Sequence, residues 1–180
     1  MVRLNYASQD TFYFYAQPNF NKSISEHLPF DSLVLERNEL GLNILYAPAW
    51  LAPEHMKLDY EILFFKATGI SDDFIEVETN AAANRRAYMD RRSLQFTPWD
   101  QFLLQVHSVE LKDDREQQVR IKPLDHASTL NKEYAVLKPL LVRDQWMKVE
   151  LISEDYESLG EGWIQWNKDG EMLVIYNLLS

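Results

Sequence analysis

The sequence predicts a mainly β fold, made of two tandem small β-barrels that pack together. Three observations predict it. Aromatic residues make up 13% of the chain, and aromatic and β-branched side chains suit a half-buried pleated sheet. Short segments alternate apolar and polar residues with the period of a strand. Blocks of the first half recur in the second half with the same pattern of residue types, which indicates an internal repeat.

The repeat is clearest in two segments that begin with an aromatic residue. Residues 74–78 are Phe-Ile-Glu-Val-Glu, and residues 146–150 are Trp-Met-Lys-Val-Glu. Successive side chains of a strand point to opposite faces of the sheet. Each segment therefore predicts a strand with one apolar, buried face. The opposite face begins with an aromatic ring and continues with charged side chains.

The flanking segments extend the repeat in both directions. Residues 14–18 and 119–123 are alternating segments that end in proline, which cannot donate a hydrogen bond to a continuing sheet. Downstream, residues 87–90 (Ala-Tyr-Met-Asp) match residues 162–165 (Gly-Trp-Ile-Gln). The common order of these blocks predicts that both halves of the chain fold alike.

The repeat also sets the predicted domain boundaries. We expect the first unit over residues 1–111, a polar linker over 112–117 and the second unit over 118–180. A unit as small as the second has a marginal core by itself, so the two units are expected to pack together. The first unit carries a long insertion at about residues 38–60. Long connections in compact domains are commonly functional.

Two local patterns predict a short helix and a hairpin. Residues 97–100 (Thr-Pro-Trp-Asp) place a capping threonine before proline and an acid, which predicts a helix over about 98–104 in the first unit. Residues 167–170 (Asn-Lys-Asp-Gly) predict a hairpin turn, because Asp-Gly suits positive φ. The turn is favoured over a calcium loop, because Tyr176 stands at the twelfth position of such a loop, where an acid is required.

Three of these motifs resemble the bacterial SH3-like domain family, in two tandem copies. They are the segments ending in Pro18 or Pro123, the strand at residues 146–149 and the segment at residues 160–164. The resemblance is looser in the first half, where Ala87 stands in the place of a glycine. It implies a binding or spacer role, with a peptide, a peptidoglycan fragment or another protein as partner. It also implies the periplasm or cell envelope, although no signal peptide is visible in this sequence.

The charge and composition of the chain argue against several other partners and functions. The net charge is −10, and an acidic surface repels phosphate backbones, so no nucleic-acid partner is expected. No apolar run reaches the length of about 20 residues that spans a bilayer, so no membrane span is expected. The chain has no cysteine, which removes disulfides and thiolate nucleophiles. It therefore lacks the catalytic cysteine of the hydrolases that SH3-like domains often accompany.

An arginine-rich segment is one candidate ligand site. Arg86, Tyr88 and Arg92 share a face if residues 85–92 continue as a strand. Two guanidinium groups beside a ring suit a carboxylate or phosphate group. The alternative interpretation is a charged strand that discourages edge-to-edge pairing.

Aromatic residues form the other candidate ligand-binding set. Three flank the insertion, one begins the repeated strand of the second unit, and two lie near its next strand; they are Tyr46, Trp50, Tyr60, Trp146, Trp163 and Trp166. The last two are three residues apart, so a strand would turn one inward and the other outward. The rings either fill the seam between the units or form a ligand site, and ligands commonly bind at domain junctions.

No local pattern of a catalytic site is present in the sequence. The four histidines are isolated in sequence, so no zinc-binding pair is visible and no metal or other cofactor is expected. The chain also lacks the Gly-x-Ser-x-Gly motif of serine hydrolases. The sequence thus predicts a non-enzymatic ligand-binding or scaffolding module. One alternative is a hydrolase-like enzyme that joins His55 or His107 to a distant carboxylate. Another is a structural or regulatory partner of a second chain.

Overall fold

The computed structural model describes residues 1–113 and 117–179. The protein is mainly β, with 50% of its residues in strands and 7% in helices, which confirms the predicted class. The described residues form several sheets, none of which closes into a barrel, so the two predicted barrels are not confirmed. The chain divides into two compact units, Met1–Thr97 and Pro98–Ser180.

The first unit is built on a six-stranded antiparallel sheet and a smaller sheet of three strands. Its strands are β1 (Val2–Leu4), β2 (Thr11–Phe14), β3 (Asp31–Asn38), β4 (Gly41–Tyr46), β5 (His55–Lys57), β6 (Ile62–Ile70), β7 (Phe74–Asn80), β8 (Arg85–Asp90) and β9 (Leu94–Phe96). Short 3₁₀ helices lie at Ile24–Glu26, Leu58–Tyr60 and Arg91–Ser93. The larger sheet has the order β8-β7-β6-β1-β9, and β5 pairs with β6 beside this path.

The alternating pattern of β7 supplies the centre of this unit's core. Ile75 and Val77 are completely buried, and Phe65 of the neighbouring β6 packs in the same cluster. Phe14 and Leu33 of the smaller sheet also belong to it. Burying one such side chain contributes about 1.5–3 kcal/mol relative to leaving it in water. The two sheets of the first unit therefore share one apolar core.

The predicted insertion at about residues 38–60 is divided between the two sheets: β4 belongs to the smaller sheet and β5 pairs with β6 of the larger one. The smaller sheet has the order β2-β3-β4 and begins well before residue 38. Glu61 ties this sheet to the larger one: its carboxylate accepts hydrogen bonds from Arg37 Nε at 2.7 Å and Arg37 Nη2 at 3.0 Å. The Glu61 carboxylate also lies 3.9 Å from Arg3 of β1. Through Arg37 and Arg3, Glu61 therefore links a strand of each sheet to the turn before β6.

The second unit contains one short α-helix, a five-stranded sheet and a small hairpin. Its elements are α1 (Trp99–Phe102), β10 (Ser108–Leu111), β11 (Val136–Arg143), β12 (Trp146–Ile152), β13 (Ser158–Gln165), β14 (Asn167–Lys168), β15 (Glu171–Met172) and β16 (Val174–Asn177). The sheet has the order β13-β12-β11-β10-β16. The hairpin joins β14 to β15 through Asp169 and Gly170, whose φ angles are 52° and 86°, as the Asp-Gly pattern predicted.

The two units repeat one strand order. The order β8-β7-β6-β1-β9 of the first corresponds strand by strand to β13-β12-β11-β10-β16 of the second. The two aromatic-led segments are β7 and β12, which occupy the same position in each sheet. In each unit, one residue of the segment before the repeated proline forms an isolated bridge to the edge strand: Tyr15 pairs with Tyr88, and Arg120 pairs with Trp163. The repeated blocks of the sequence thus occupy equivalent places.

The boundary between the units lies earlier than the sequence predicted. Residues 98–111 belong to the second unit, because β10 pairs with both β16 and β11. The short helix belongs there too, and the rings of Trp99 and Phe102 pack against Tyr176 at 5.8 and 5.3 Å. Pro98 is the N-cap, and no side chain caps the helix, so the expected threonine cap is wrong. Residues 114–116 of the predicted linker lie outside the described residues.

Gly162 of β13 gives the first testable prediction. A Cβ added there would collide with the side chains of Val119 and Leu130, whereas a Cβ at Gly69 of β6 would meet its nearest atom at 3.5 Å. We expect Gly162→Ala to destabilise the second unit by about 1–3 kcal/mol, because overpacking forces the backbone apart. Urea unfolding followed by tryptophan fluorescence measures the effect. Gly69→Ala is the matched control, and equal midpoints for the two variants would contradict the prediction.

Candidate functional site

A cluster of aromatic rings covers the start of β7. Phe74 is 1% exposed, although it points away from the apolar face of its strand. The rings of Tyr15, Phe20, His27 and Tyr88 surround it, with centroids 5.2–6.5 Å away and planes nearly perpendicular. Phe20 keeps 57% of its surface exposed. The cluster therefore has a buried centre and an open rim.

The loop that follows Pro18 holds this cluster in place. Its 3₁₀ turn is fixed by a capping box, in which the Ser23 N–H donates to Glu26 Oε2 at 2.9 Å. The backbone N–H of Asn19 donates to His27 Nε2 at 3.0 Å. These local bonds satisfy the backbone of a segment that has no sheet partner. As a result, the loop folds back over Phe74.

A shallow depression lies beside the aromatic cluster, and we call it the first-unit depression. It has a volume of about 260 Å³ and is lined by Phe20, Gly69, Ile70, Ser71, Phe74, Glu76 and Tyr88. A smaller cavity of about 80 Å³ adjoins it and adds Lys22, Asp72 and Asp73 to the lining. The site thus combines exposed aromatic surface with charged groups.

A polar network fixes the floor of the first-unit depression. Glu76 of β7 accepts a hydrogen bond from Thr68 Oγ1 at 2.5 Å and lies 3.6 Å from Arg86. The Thr68 bond is the largest cause that holds the pKa of Glu76 below its ordinary value, with Tyr88 and Arg86 adding to it. Burial, and then the hydrogen bond to Glu76, raises the pKa of Tyr88. The network therefore holds the Tyr88 ring at one edge of the depression.

The arginine-rich segment does not form the anion-binding face that the sequence suggested. Strand β8 ends at Asp90, whose carboxylate accepts the backbone N–H of Arg92, so Arg92 lies in the following 3₁₀ turn. Arg86 and Arg92 form ion pairs with different acids. Arg86 pairs with Glu76, and Arg92 pairs with Asp73 at 3.0 Å. These two arginines therefore stabilise the region around the depression.

Trp50 and Tyr46 are both hydrogen-bonded to Asp31. The Trp50 indole N–H donates to Asp31 Oδ2 at 3.2 Å, and the Tyr46 hydroxyl donates to Oδ1 at 3.1 Å. The Arg85 guanidinium lies 4.1 Å above the Trp50 ring, which covers the face that a ligand would stack on. Tyr60 is 59% exposed and lies under Lys57. None of the three aromatic residues lines the two cavities at Phe74.

The second unit carries a depression at the equivalent position, which we call the second-unit depression. Its volume is about 370 Å³, and its lining is Lys122, Pro123, Leu124, Arg143, Asp144 and Trp146. Trp146 begins β12 as Phe74 begins β7. In both units, the loop after the repeated proline forms one wall and the turn between the two following strands forms another. The depression is therefore a feature of the repeat.

The structure separates the roles of the remaining two tryptophans. Trp166 is 9% exposed, and its indole N–H donates to the Asp144 carbonyl at 2.9 Å. Trp163 is half-buried and pairs in register with Lys148 on the outer face of the sheet. The predicted split between one inward and one outward ring is confirmed, and Trp166 is the inward one.

Sequence reasoning missed the loop residues that wall the two depressions. Phe20 and Leu124 each follow a repeated proline within two residues, where polar neighbours indicated only a turn. Both stay largely exposed, at 57% and 46%. The available signal was that an apolar residue stands at a similar place after the proline in both repeats.

The histidines proposed for an enzymatic site lie in different units. His55 is in β5, where burial lowers its pKa, and His107 is exposed just before β10. Within residues 1–113 and 117–179, no group of three or more His, Asp or Glu side chains is placed to hold a metal ion. No helix in the described part of the chain is long and apolar enough to cross a membrane.

Neither a family model, a curated protein nor a solved structure matches this chain.

The Thr68–Glu76 hydrogen bond predicts a pH-dependent contribution to stability. The pKa of Glu76 is lower in the folded state than in the unfolded state, so the bond stabilises the fold above the unfolded pKa. That contribution is lost as the pH falls through the folded pKa. We expect Thr68→Val to raise the pKa of Glu76 and to destabilise the protein by about 1 kcal/mol or less at pH 7.

Urea unfolding at a series of pH values measures this effect, and NMR titration of the Glu76 carboxyl carbon measures its pKa. The difference between Thr68→Val and the wild type should shrink at acid pH. Thr11→Val of β2 is the matched control, because it changes a strand threonine without touching Glu76. A constant difference across the pH range would refute the role of the carboxylate.

Proposed function

We propose that this protein is a non-enzymatic ligand-binding module of two tandem SH3-like units. Each unit would bind an extended segment of a protein or a cell-wall peptide in its depression. The single observation that carries the proposal is the recurrence of an aromatic-lined depression at one position of a repeated fold.

The strand order supports the SH3-like identity of the units. Both sheets place the five strands in the same sequence, although the first unit contains an additional three-stranded sheet. Both also pair one residue of the pre-proline segment with the edge strand. These shared features extend the internal repeat, on whose motifs the resemblance rests, to the arrangement of the whole sheet.

The shape of the depressions favours an extended peptide over a small molecule. Small-molecule sites enclose most of the ligand surface, whereas both depressions here are shallow and rimmed by exposed Phe20 and Leu124. Aromatic side chains supply large contact area with few rotatable bonds, which suits the capture of a flexible chain. Grooves lined with aromatic residues are a known mode of binding extended, proline-rich segments.

Phe20 offers a direct test of the proposal. We expect titration with proline-rich peptides or peptidoglycan stem peptides to shift the amide NMR signals around Phe74 and Trp146. Phe20→Ala should weaken binding at the first unit about tenfold, because it removes the exposed ring that lines the depression, and a few aromatic side chains supply much of the binding energy of an interface. The side chain is largely exposed, so the fold should tolerate the change.

Leu40→Ala is the matched control, since Leu40 is 86% exposed in the same unit and lines neither depression. It should leave the affinity unchanged. Signal shifts confined to other surfaces would contradict the proposal. An equal loss of affinity in Phe20→Ala and Leu40→Ala would contradict it as well.

A further inference from the structure

We infer that the second-unit depression selects a peptide segment with an acidic side chain, whose carboxylate binds between Lys122 and Arg143 beside Trp146. The inference rests on the proposed function and adds to it the charge of the ligand. Three observations support it. Two cations line one cavity, their side chains have no partner among the described residues, and uncharged residues stand at their positions in the first unit.

Lys122 and Arg143 approach the depression from different elements. Lys122 immediately precedes the repeated proline, and Arg143 is the last residue of β11, where it pairs in register with Trp146. Both side chains are exposed and line the same cavity. The side chains of the two residues form no hydrogen bond or ion pair with any residue of the described ranges. Two cations that line one cavity favour an anion between them, because opposite charges attract.

Acidic side chains occupy several cations elsewhere in the protein, whose 28 acidic residues outnumber its 18 basic ones. In the first unit, Arg37, Arg86 and Arg92 each pair with a carboxylate. In the second unit, Lys148 pairs with Glu161 on the same outer face that carries Trp146. Lys122 and Arg143 have no such carboxylate partner among the described residues, and both line one cavity.

One acid also lines the second-unit depression, and it reduces the positive charge without cancelling it. Asp144 occupies the turn between β11 and β12 with a positive φ of 53°. Its carbonyl is anchored by the Trp166 indole N–H. The charged lining is therefore two cations against one anion, in a chain whose total charge is negative.

The first unit has no such pair of cations at the equivalent positions. The pairings of β6 with β7 and of β11 with β12 align Ser71 with Arg143 and Asp72 with Asp144. The pre-proline alignment matches Gln17 with Lys122. The ion pair Glu76–Arg86 of the first unit is reversed in the second, as Lys148–Glu161, and adds no net charge. The two added cations at the positions of Ser71 and Gln17 make the second-unit depression the more positive.

The chemistry of the lining defines the ligand. An arginine fork matches the two oxygens of a carboxylate, and a lysine adds a second positive charge. Pro123, Leu124 and Trp146 offer apolar surface next to these cations. The ligand is therefore an extended segment with an apolar residue beside a glutamate or aspartate.

The test uses the full chain and three peptides of identical length. All three are proline-rich, contain one leucine and are acetylated at the N-terminus. The first has a central glutamate and the second a central glutamine, and both have an amidated C-terminus. The third has the central glutamine and a free C-terminal carboxylate. The Trp146 indole NMR signal reports binding. We expect the glutamate peptide to bind about three- to tenfold more tightly than the amidated glutamine peptide. Salt at about 1 M should remove most of this advantage.

Variants assign the preference to the two cations. The double variant Lys122→Gln/Arg143→Gln should bind the glutamate and glutamine peptides equally. The matched control is Lys138→Gln/Lys168→Gln, which removes the same charge from exposed positions of the second unit that do not line the depression. The control should keep the full preference for glutamate, because both cations of the depression remain in place. An equal loss in the two double variants would mean that long-range attraction causes the preference, and would refute the inference.

Several outcomes would overturn the inference. If both amidated peptides shift Trp146 with equal affinity, selection of a carboxylate is wrong while the proposed function stands. If the glutamine peptide with a free C-terminal carboxylate binds as tightly as the glutamate peptide, the site binds the carboxylate of a chain end, and the assignment to a side chain is wrong. If no peptide perturbs either depression, the inference and the proposed function fall together.

Discussion

The alternation of side chains along the two middle strands is the constraint on which the rest of the structure depends. Burial of Ile75 and Val77 in β7, and of Met147 and Val149 in β12, fixes which face of each sheet meets the core. The first residue of each strand must then point outward, because neighbouring side chains of a strand alternate between faces. An aromatic ring at that position would face solvent, and the loop after the repeated proline packs beside it.

That loop differs between the two units, and the difference shapes both surfaces. In the first unit, a loop with its own capping box closes over Phe74 and leaves Phe20 at the rim. In the second unit, Trp146 keeps a larger exposed area beside a loop that supplies Leu124 and a lysine. One backbone plan thus presents two recognition surfaces. Their charges differ because outer-face residues are free of the packing constraints that hold the core.

The charged residues of the first unit show why sequence patterns alone misplace a site. The run of arginines resembled a single anion-binding face, but the chain turns at Asp90, and the guanidinium groups find separate acids. Trp50 likewise stood out as a ligand platform, and instead it is tied to Asp31 beneath Arg85. Partners distant in sequence decide whether a charged or aromatic side chain is open to a ligand or already satisfied.

The sequence by itself determined the mainly β class, the repeat, the inward faces of β7 and β12 and the Asp-Gly hairpin, because each follows from local alternation or turn geometry. Tertiary structure decided the rest. The unit boundary depends on the pairing of β10 with β16, whose partners are far apart in the chain. The extra sheet, the burial of Trp166 and the meeting of Lys122 with Arg143 around Trp146 depend on the same kind of long-range contact. Such contacts are set by the packing of whole sheets, and no local pattern of residues encodes them.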